Sequence, residues 1–311
     1  MDATRRTFVR GCLAALADNR SRVVVARDSA LRKTGSSVDS ARLLALLDRS
    51  MMAFYNRDSA SEAWKQVVRP GEVVGLKVNC LSGRGGATSL TLVDAIVERL
   101  QQAGIKSNNI VIWDRLNSDL DSAGFRPGSQ KPRTIGNDSA GYEEDLEIQG
   151  SVGSLLSRTL TRTCDAVINL PVLKDHGIVG VTMAMKNLFG AIHNPNKYHP
   201  NAGDPYVADV NMLPAVRSKV RLTICDGSYA QYEGGPSYMP QWSWPFNGLL
   251  VARDPVALDY TGWRIIEAAR AEKGFPTLKA AKREPTYIAT AADAQHRLGT
   301  NDPARIEKVE V

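Results

Sequence analysis

The segment Glu72-Val-Val-Gly-Leu-Lys-Val-Asn79, together with the residues that follow it as far as Asp114, decides the fold. It comes after the turn pair Pro70-Gly71 and has the apolar, β-branched composition of a buried strand. An amphipathic helix is predicted over Leu90 to Ala103, and a second strand over Asn109-Ile-Val-Ile-Trp-Asp114. This strand, helix, strand order predicts parallel strands with helices on the faces of their sheet.

The same alternation continues on both sides of this unit. Further strands and helices are predicted at Arg22 to Arg27, Ser40 to Phe54, Asp165 to Leu170, Arg221 to Asp226, Leu249 to Arg253 and Val256 to Ala271. Residues 116–160 are rich in Ser, Gly, Asp and Pro, and form either a long excursion or a boundary. The sequence therefore predicts an α/β fold with mostly parallel sheets flanked by helices in Rossmann-like layers. It would form a single domain over 21–311, or two lobes at about 21–150 and 151–311.

Composition narrows the class of protein. A chain of 311 residues with 43% hydrophobic content can bury a substantial core. No apolar run approaches the roughly 20 residues that a membrane-spanning helix needs, so we expect no membrane span. The net charge of +6 is concentrated in residues 1–33, where eight Arg or Lys face three Asp. Because the rest of the chain is nearly neutral, a nucleic-acid partner is not expected.

The basic N-terminal segment of the chain has a more specific interpretation. Thr4-Arg5-Arg6-Thr7-Phe8-Val9-Arg10 resembles a twin-arginine export signal, but the apolar stretch that follows, Gly11 to Ala17, is short for such a signal. Residues 1–20 are therefore a candidate for a degenerate twin-arginine signal. Export to the periplasm is favoured over a cytoplasmic location, and the alternative is a basic N-terminus of a cytoplasmic protein.

The window from Lys174 to His199 is the strongest candidate for a functional site. It holds three of the four histidines of the chain, together with Lys186 and the apolar run Ile178 to Met185. Burying an unpaired ammonium is costly, so each lysine must reach water, find a partner or lower its pKa. A lysine with a lowered pKa suits a base, an imine-forming amine or an anion clamp. The alternative is that the lysines bridge structural carboxylates and the histidines lie in a wet loop.

Polar side chains end several of the predicted strands. Lys77 and Asn79 end one, Asp114 and Arg115 end another, and Lys174 and His176 follow a third. Ligand sites in open α/β sheets lie at the carboxyl ends of the strands. We therefore expect these side chains to converge on one crevice, together with Asp226, which closes a fourth strand.

The glycine-rich loop Ser82-Gly-Arg-Gly-Gly-Ala-Thr-Ser89 joins the first of these strands to its helix. Its backbone N–H groups could bind an anion, which makes Thr88 and Ser89 candidate ligand-binding residues. The alternative is that one of them is a plain N-cap of the helix. The loop matches no nucleotide-binding motif, so it predicts no nucleotide cofactor.

Two further features are ambiguous. Asp226 and Asp259, with His193, are candidates for binding a divalent cation, whereas Asp254 is expected to cap a helix. The aromatic-rich loop between Gly227 and Asn247 is either a lid that excludes water or a loop that packs its own aromatics over the core.

Five segments, in chain order, indicate a known family. They are Lys77-Val-Asn79, Asn169-Leu-Pro-Val-Leu-Lys174-Asp-His176, Lys186-Asn-Leu-Phe-Gly190, Asp226-Gly227 and Asp254-Pro-Val-Ala-Leu-Asp259. In this order they resemble the DUF 362 family, named for a domain of unknown function. Members of that family often have a ferredoxin-like segment or an export signal, and this chain resembles them in the second feature only. The family name implies no activity.

A more distant resemblance concerns the nickel-pincer lactate racemases. His176, Gly180 and Lys186 are similar to the segment by which those enzymes hold their cofactor. The resemblance implies Lys186 as a covalent attachment point and His176 as a proton-transferring base. Met183-Ala184-Met185 stands where the racemases have Gly-Gly-Arg, and His199 does not reproduce the interval to their metal-binding histidine. The nickel cofactor is therefore not predicted, and the cofactor stays unknown.

The leading hypothesis is an enzyme that acts on a small anionic, carboxylate-type molecule. The predicted catalytic residues are His176, Lys186 and Lys174, and the predicted ligand-binding residues are Lys77, Asn79, Asn187, Thr88 and Ser89. The lysines would supply positive charge, His176 would move a proton, and the asparagines would orient the substrate. The alternative is a non-catalytic periplasmic protein that holds an anion, a metal or a cofactor for a partner protein that the sequence does not identify.

Overall fold

A computed structural model describes residues 20–32 and 37–311 of the protein. The predicted twin-arginine motif, within residues 1–19, lies outside the described residues. The strands are β1 Ser21–Arg27, β2 Val74–Lys77, β3 Ile110–Asp114, β4 Arg133–Gly136, β5 Glu147–Gln149, β6 Val152–Ser154, β7 Ala166–Asn169, β8 Val172–His176, β9 Gly180–Thr182, β10 Val220–Gln231, β11 Ser243–Trp244, β12 Gly248–Ala252 and β13 Ile306–Glu310. The helices are α1 Ser40–Tyr55, α2 Ala60–Trp64, α3 Leu90–Gln102, α4 Asn117–Ala123, α5 Asn137–Ala140, α6 Ala184–Asn187, α7 Tyr206–Met212, α8 Pro214–Lys219, α9 Pro255–Glu272 and α10 Tyr287–Ala292.

A large sheet organises the described chain, with the strand order β13-β1-β12-β10-β7-β2-β3-β4. Neighbours in this order are parallel, except where β12 pairs antiparallel with β1 and β10. The prediction of an α/β fold with a mostly parallel sheet flanked by helices is confirmed. The carboxyl ends of β2, β3 and β7 therefore lie side by side at one edge of the sheet.

Both faces of the sheet are buried, as the strand sequences require. In β1, Val24 and Ala26 belong to the core that α1 and α3 cover, whereas Val23 and Val25 belong to the opposite core, which contains residues of α7 and α9. Successive side chains of a strand point to opposite faces, so an all-apolar strand is stable only when both faces are covered. The helices on the two sides supply that cover.

Side-chain caps fix the starts of the two helices next to the site. Ser89 Oγ accepts a hydrogen bond from Leu92 N at 3.3 Å and begins α3. Asp254 begins α9 by accepting from Val256 N at 2.9 Å and Ala257 N at 2.8 Å, which confirms the predicted cap.

Two parts of the fold differ from the sequence-based expectation. The segment 116–160, which has no clear period, contributes α4 and the edge strand β4, and then the small β5–β6 hairpin. Strand β8 was not predicted, because three of its five residues are polar although all five are buried. Among the described residues, no helix is long and apolar enough to span a membrane.

Candidate functional site

A cleft of about 470 Å³ opens at the carboxyl ends of β2 and β3, next to β8 and α6. Six of the predicted site residues line it: Lys77, Asn79, Lys174, His176, Lys186 and Asn187. The sheet topology brings these residues together from positions far apart in the sequence. Thr88, Ser89, Asp226, Asp259 and His193 are not among the residues that line the cleft.

Lys77 is held in a buried ion pair. Its Nζ lies 2.7 Å from Asp114 Oδ1 and also donates to Asn187 Oδ1 at 3.3 Å. The second carboxylate oxygen of Asp114 accepts from Cys80 N at 2.8 Å. Because Lys77 and Asp114 are almost fully buried, the two charges balance each other, and Lys77 adds little net charge to the cleft.

Gly190 packs directly against this pair. A Cβ at Gly190 would lie 2.6 Å from Lys77 Cε and 2.9 Å from Asp114 Oδ1. Any side chain there would push the ion pair apart. The glycine that ends the Lys-Asn-Leu-Phe-Gly segment therefore has a steric role beside the cleft.

A network of three buried asparagines fixes the floor of the cleft. Asn187 donates to Asn169 Oδ1 at 2.8 Å, and Asn79 donates to Asn187 Oδ1 at 3.0 Å. Asn169 in turn donates to the carbonyl of Ala184 at 2.8 Å. The Oδ1 atom of Asn79 is buried and has no hydrogen-bond partner among the described residues, which leaves an unsatisfied acceptor at the cleft.

Lys174 ties the glycine-rich loop to β8. Its Nζ donates to Ser82 Oγ and to the carbonyl of Gly86 at 2.9 Å. Burial lowers the pKa of Lys174 to about 8. The ammonium is therefore partly engaged by the loop and still contributes positive charge to the cleft.

The hydroxyl groups of Thr88 and Ser89, in the same loop, form hydrogen bonds with backbone groups. Thr88 Oγ1 accepts from Asn79 N at 2.9 Å and donates to the carbonyl of Leu170 at 2.6 Å, while Ser89 caps α3. Both hydroxyls therefore bond to backbone groups, and neither residue lines the cleft. This arrangement matches the N-cap alternative and does not support the predicted contact with an anion.

Lys186 differs from the other two lysines of the cleft. Its side chain is buried, and within the described residues its Nζ forms no hydrogen bond or ion pair. The ammonium lies 4.0 Å from the centre of the Phe189 ring. Burial, followed by the charges of Lys77 and Lys174, lowers the pKa of Lys186 to about 7. The cleft therefore contains one lysine whose amine is available for chemistry near neutral pH.

Asp259 determines where Lys186 points. Its carboxylate, on α9, accepts from Ala184 N at 2.7 Å and from Met185 N at 3.1 Å. These are the first backbone N–H groups of α6, which has no other side-chain cap. Asp259 thereby fixes the start of the short helix that presents Lys186 and Asn187 to the cleft.

His176 is a neutral hydrogen-bond donor in this arrangement. Its Nδ1 accepts from the backbone N–H groups of Ile178, at 3.1 Å, and Val179, at 3.3 Å. An accepting Nδ1 carries no proton, so the proton of the neutral ring is on Nε2. Burial, and after it the charge of Lys186, lowers the pKa of His176 to about 2. The ring stacks on His199 with 5.5 Å between ring centres.

Arg115, Asp119 and His199 are further titratable residues that line the cleft, and of these Asp119 was not predicted. Burial and the neighbouring carboxylate of Asp114 raise the pKa of Asp119, whereas burial and the charge of Lys186 lower the pKa of His199. Arg115 was expected at the crevice because it directly follows the polar end of β3, and His199 belongs to the candidate window. Asp119 lies in the segment without a period, which offers no such signal.

The three residues predicted as metal candidates, Asp226, Asp259 and His193, do not form a cluster among the described residues. Asp226 accepts from Ser89 N and Ser228 N, both at 2.9 Å, and Asp259 is engaged by α6. His193 is exposed and packs on the Tyr142 ring at 5.1 Å. In the described part of the chain, no group of three or more His, Cys, Asp or Glu side chains could hold a metal ion. Backbone N–H groups bond to both carboxylates, and the assignment of a metal to these residues stays a prediction.

A buried ion network supports β8 from the face opposite the cleft. Asp175 lies between Lys174 and His176 and points the other way, where its Oδ2 is 2.7 Å from Arg283 Nη1. Burial raises the pKa of Asp175, while Arg283 opposes that shift. Arg283 also pairs with Glu233. The residues of this network are distant in the chain, so no local sequence pattern indicates it.

The same network holds the aromatic-rich loop. Gly235 N donates to Asp175 Oδ1 at 2.9 Å, and Gly177 N donates to the carbonyl of Gly235 at 2.6 Å. Tyr232 and Trp242 of the loop pack on Phe275, with ring centres 5.3 and 6.3 Å apart. This packing fits the alternative in which the loop covers the core with its own aromatics. Pro236 is the loop residue that lines the cleft.

Comparisons with known proteins agree with the resemblance seen in the sequence. The family described as "Domain of unknown function (DUF362)" matches residues 74–264. The thylakoid-associated protein sll1697 of Synechocystis sp. is 30% identical over 250 residues, which cover 76% of this chain and 71% of that protein. A crystal structure of a Thermotoga maritima protein matches with a TM-score of 0.40 and 8% identity, covering 78% of this chain. The matched part of this chain spans 61% of the length of that protein.

None of these names mentions a racemase. The more distant resemblance to the nickel-pincer lactate racemases therefore stays a prediction.

Proposed function

The chain belongs to the DUF362 family, and we propose that it is an enzyme that acts on a small carboxylate-type anion in the cleft of Lys77, Lys174 and Lys186. The observation on which the proposal depends is the state of Lys186. Its amine is buried in a cleft of substrate size, lacks a protein acceptor among the described residues, and has a pKa lowered to about 7. Strongly perturbed titratable groups in a cleft are typical of functional sites.

The charge of the cleft favours an anionic ligand. Lys174, Lys186 and Arg115 line it in addition to the balanced pair of Lys77 and Asp114, and Asp119 is the remaining carboxylate among its lining residues. Asp119 therefore offsets one of these three positive charges, and the remaining lining charges are positive in excess. A carboxylate of the ligand would complete the electrostatic balance.

The proposed roles follow from the hydrogen bonds already formed. Lys186 is the base or nucleophile, because its amine is free near neutral pH. His176 donates from Nε2 to an oxygen of the substrate that gains negative charge, rather than acting as the base that the sequence suggested. Asn79 and Asn187 orient the ligand from the floor of the cleft.

Ligand binding is the first test. A panel of small carboxylic acids is added to the wild-type protein, to Lys186→Gln and to the control Lys106→Gln, and the melting midpoint of each is followed. Lys106 is exposed and lies away from the cleft. We expect at least one acid to raise the midpoint of the wild type and of Lys106→Gln but not of Lys186→Gln, since a ligand that binds only the folded state stabilises it.

Turnover separates an enzyme from a binding protein. The acids that bind are incubated with wild type and with His176→Ala, and products are followed by NMR. An enzyme converts an acid in the wild type, and the variant that still binds it converts it far more slowly. If the wild type binds an acid tightly and leaves it unchanged, the non-catalytic binding or maturation protein is the better description.

A further inference from the structure

We propose that Lys186 forms an imine with the carbonyl carbon of a 2-oxo acid whose side chain is apolar. This inference rests on the proposed function and names the substrate class for the same cleft. It requires a free amine, a donor for the carbonyl oxygen, a cation for the carboxylate and an apolar surface for the side chain. The cleft supplies each of these from named residues.

The free amine distinguishes Lys186 from its neighbours. Lys77 Nζ has three protein acceptors, and Lys174 Nζ has two. In the described part of the chain, Lys186 Nζ has none, and it lies 4.0 Å from the centre of the Phe189 ring. An amine must use its lone pair to attack a carbonyl carbon, so the lysine without partners is the one suited to attack.

The protonation state of Lys186 supports the same assignment. With a pKa of about 7 instead of the ordinary 10.5, about half of the amine is neutral at pH 7, against roughly one part in 3,000 for an ordinary lysine. Burial of the amine is the main cause of this shift, and the positive charge of Lys174, held in place by its bond to the glycine-rich loop, adds to it. A free nucleophile is thus present before any ligand enters.

Hydrogen-bond donors for the carbonyl oxygen and for the carboxylate of a 2-oxo acid line the same cleft. His176 carries its proton on Nε2, because its Nδ1 accepts two backbone N–H groups, and it can donate to the carbonyl oxygen. Arg115 offers a planar guanidinium that suits a carboxylate, and Lys174 has one N–H left over from its two protein bonds.

Exposed apolar side chains line the cleft, and a small acid without an apolar substituent would leave them uncovered. Leu81 is 61% exposed and Ile178 is 53% exposed, and both line the cleft. They are two of the six exposed large hydrophobic side chains of the described residues, and Phe189 lies deeper in the same cavity. An apolar substituent on the acid would cover these side chains, and about 470 Å³ leaves room for an aromatic ring.

The chemical step is balanced without a redox partner. The Nζ lone pair of neutral Lys186 forms a bond to the carbonyl carbon, and the π electrons of the C=O bond move to the oxygen. Two protons leave the nitrogen and are taken up by that oxygen, which departs as water. A C=N bond remains between Lys186 and the acid.

Trapping with a mild hydride donor tests this step. The wild type, Lys186→Met and the control Lys106→Met are incubated with phenylpyruvate and sodium cyanoborohydride, which adds hydride to a C=N bond and gives a stable secondary amine. Intact mass and peptide mapping locate the product, and pyruvate is used in parallel as the smaller acid. Melting midpoints with and without phenylpyruvate, in the absence of the hydride donor, report binding and confirm that each variant is folded.

The expected result is one adduct per chain on Lys186 in the wild type and in Lys106→Met, its loss in Lys186→Met, and faster trapping of phenylpyruvate than of pyruvate. Binding of phenylpyruvate without an adduct overturns the imine and leaves the proposed function standing. An equal adduct in Lys186→Met also overturns it, because another amine would then react. Trapping of pyruvate at least as fast as phenylpyruvate overturns the assignment of an apolar side chain. If neither phenylpyruvate nor any acid of the panel binds, the proposed function fails as well.

Discussion

Replacing Lys186 with methionine should stabilise the protein, and the gain should depend on pH. The side chain is almost fully buried and its ammonium has no acceptor among the described residues. Its pKa of about 7 lies 3.5 units below the ordinary 10.5, and each unit is worth about 1.4 kcal/mol. The upper limit of the cost is therefore about 5 kcal/mol. Methionine retains apolar contact with Phe189 but loses the cation–π contact, so we expect a net gain of roughly 2–4 kcal/mol near pH 6.5.

The sign of the pH dependence follows from proton binding. Between pH 7 and 10.5 the unfolded chain binds more protons at Lys186 than the folded protein does, so the stability of the wild type rises with pH. The cost of this lysine falls from about 5 kcal/mol near pH 6.5 to about 1 kcal/mol near pH 9.5. The gain in unfolding free energy of Lys186→Met over the wild type should therefore be smaller near pH 9.5 than near pH 6.5, by the same amount as this cost falls.

Urea unfolding at the two pH values measures this effect. Wild type, Lys186→Met and Lys106→Met are compared, and the exposed Lys106 should give no change within about 0.5 kcal/mol at either pH. The reasoning is refuted if Lys186→Met is no more stable than the wild type near pH 6.5, or if its advantage is the same near pH 9.5. A stabilised variant that no longer binds ligand would show that the cleft retains this lysine for function at a cost in stability.

Three further outcomes are expected. Asp114→Asn removes the charge that balances Lys77 in a buried pair, and should cost about 3–5 kcal/mol in unfolding free energy, measured with urea. His176 should stay neutral from pH 7 down to about pH 4, because its pKa is near 2, so an imidazole NMR signal that titrates between pH 5 and 7 would contradict the hydrogen-bond assignment. Burial lowers the pKa of His296, but bonds to Asp293 and Asp209 outweigh it, and the net pKa is raised. The stabilisation by His296 is complete below pH 6.5 and lost as pH rises through the raised pKa, so His296→Gln should destabilise the protein more at pH 6 than at pH 9; equal losses would rule this out.

Local pattern was enough to predict the framework of the fold. The apolar runs that became β2 and β3 and the amphipathic segment that became α3 follow from side-chain periodicity and from the residues that begin and end each element. Strand β8 escaped prediction because Lys174, Asp175 and His176 hide its apolar character. Each of them is buried with a partner: Lys174 donates to the glycine-rich loop, Asp175 pairs with Arg283, and His176 accepts from backbone N–H groups.

The location of the cleft was also predictable, because parallel strands place their carboxyl ends at one edge of a sheet. Lys77, Asn79, Lys174 and His176 could be expected there from their positions at or after strand ends, and the structure places them in one cleft. Asp226 shares that kind of position, yet it bonds to the backbone N–H of Ser89 and lies away from the cavity. The end of a strand therefore indicates the edge of the sheet but does not determine which direction a side chain takes.

What the sequence by itself determined is the family, the order of most elements and the clustering of lysines and histidines near one edge of the sheet. Only the tertiary structure decided that Lys77 has a carboxylate partner, that Lys174 is bonded to a loop, and that Lys186 has no acceptor among the described residues. The three residues are chemically identical, and each directly follows an apolar residue in the sequence. Their different environments arise because charges and hydrogen bonds act over a few ångströms in space, and long-range strand pairing sets which groups come that close.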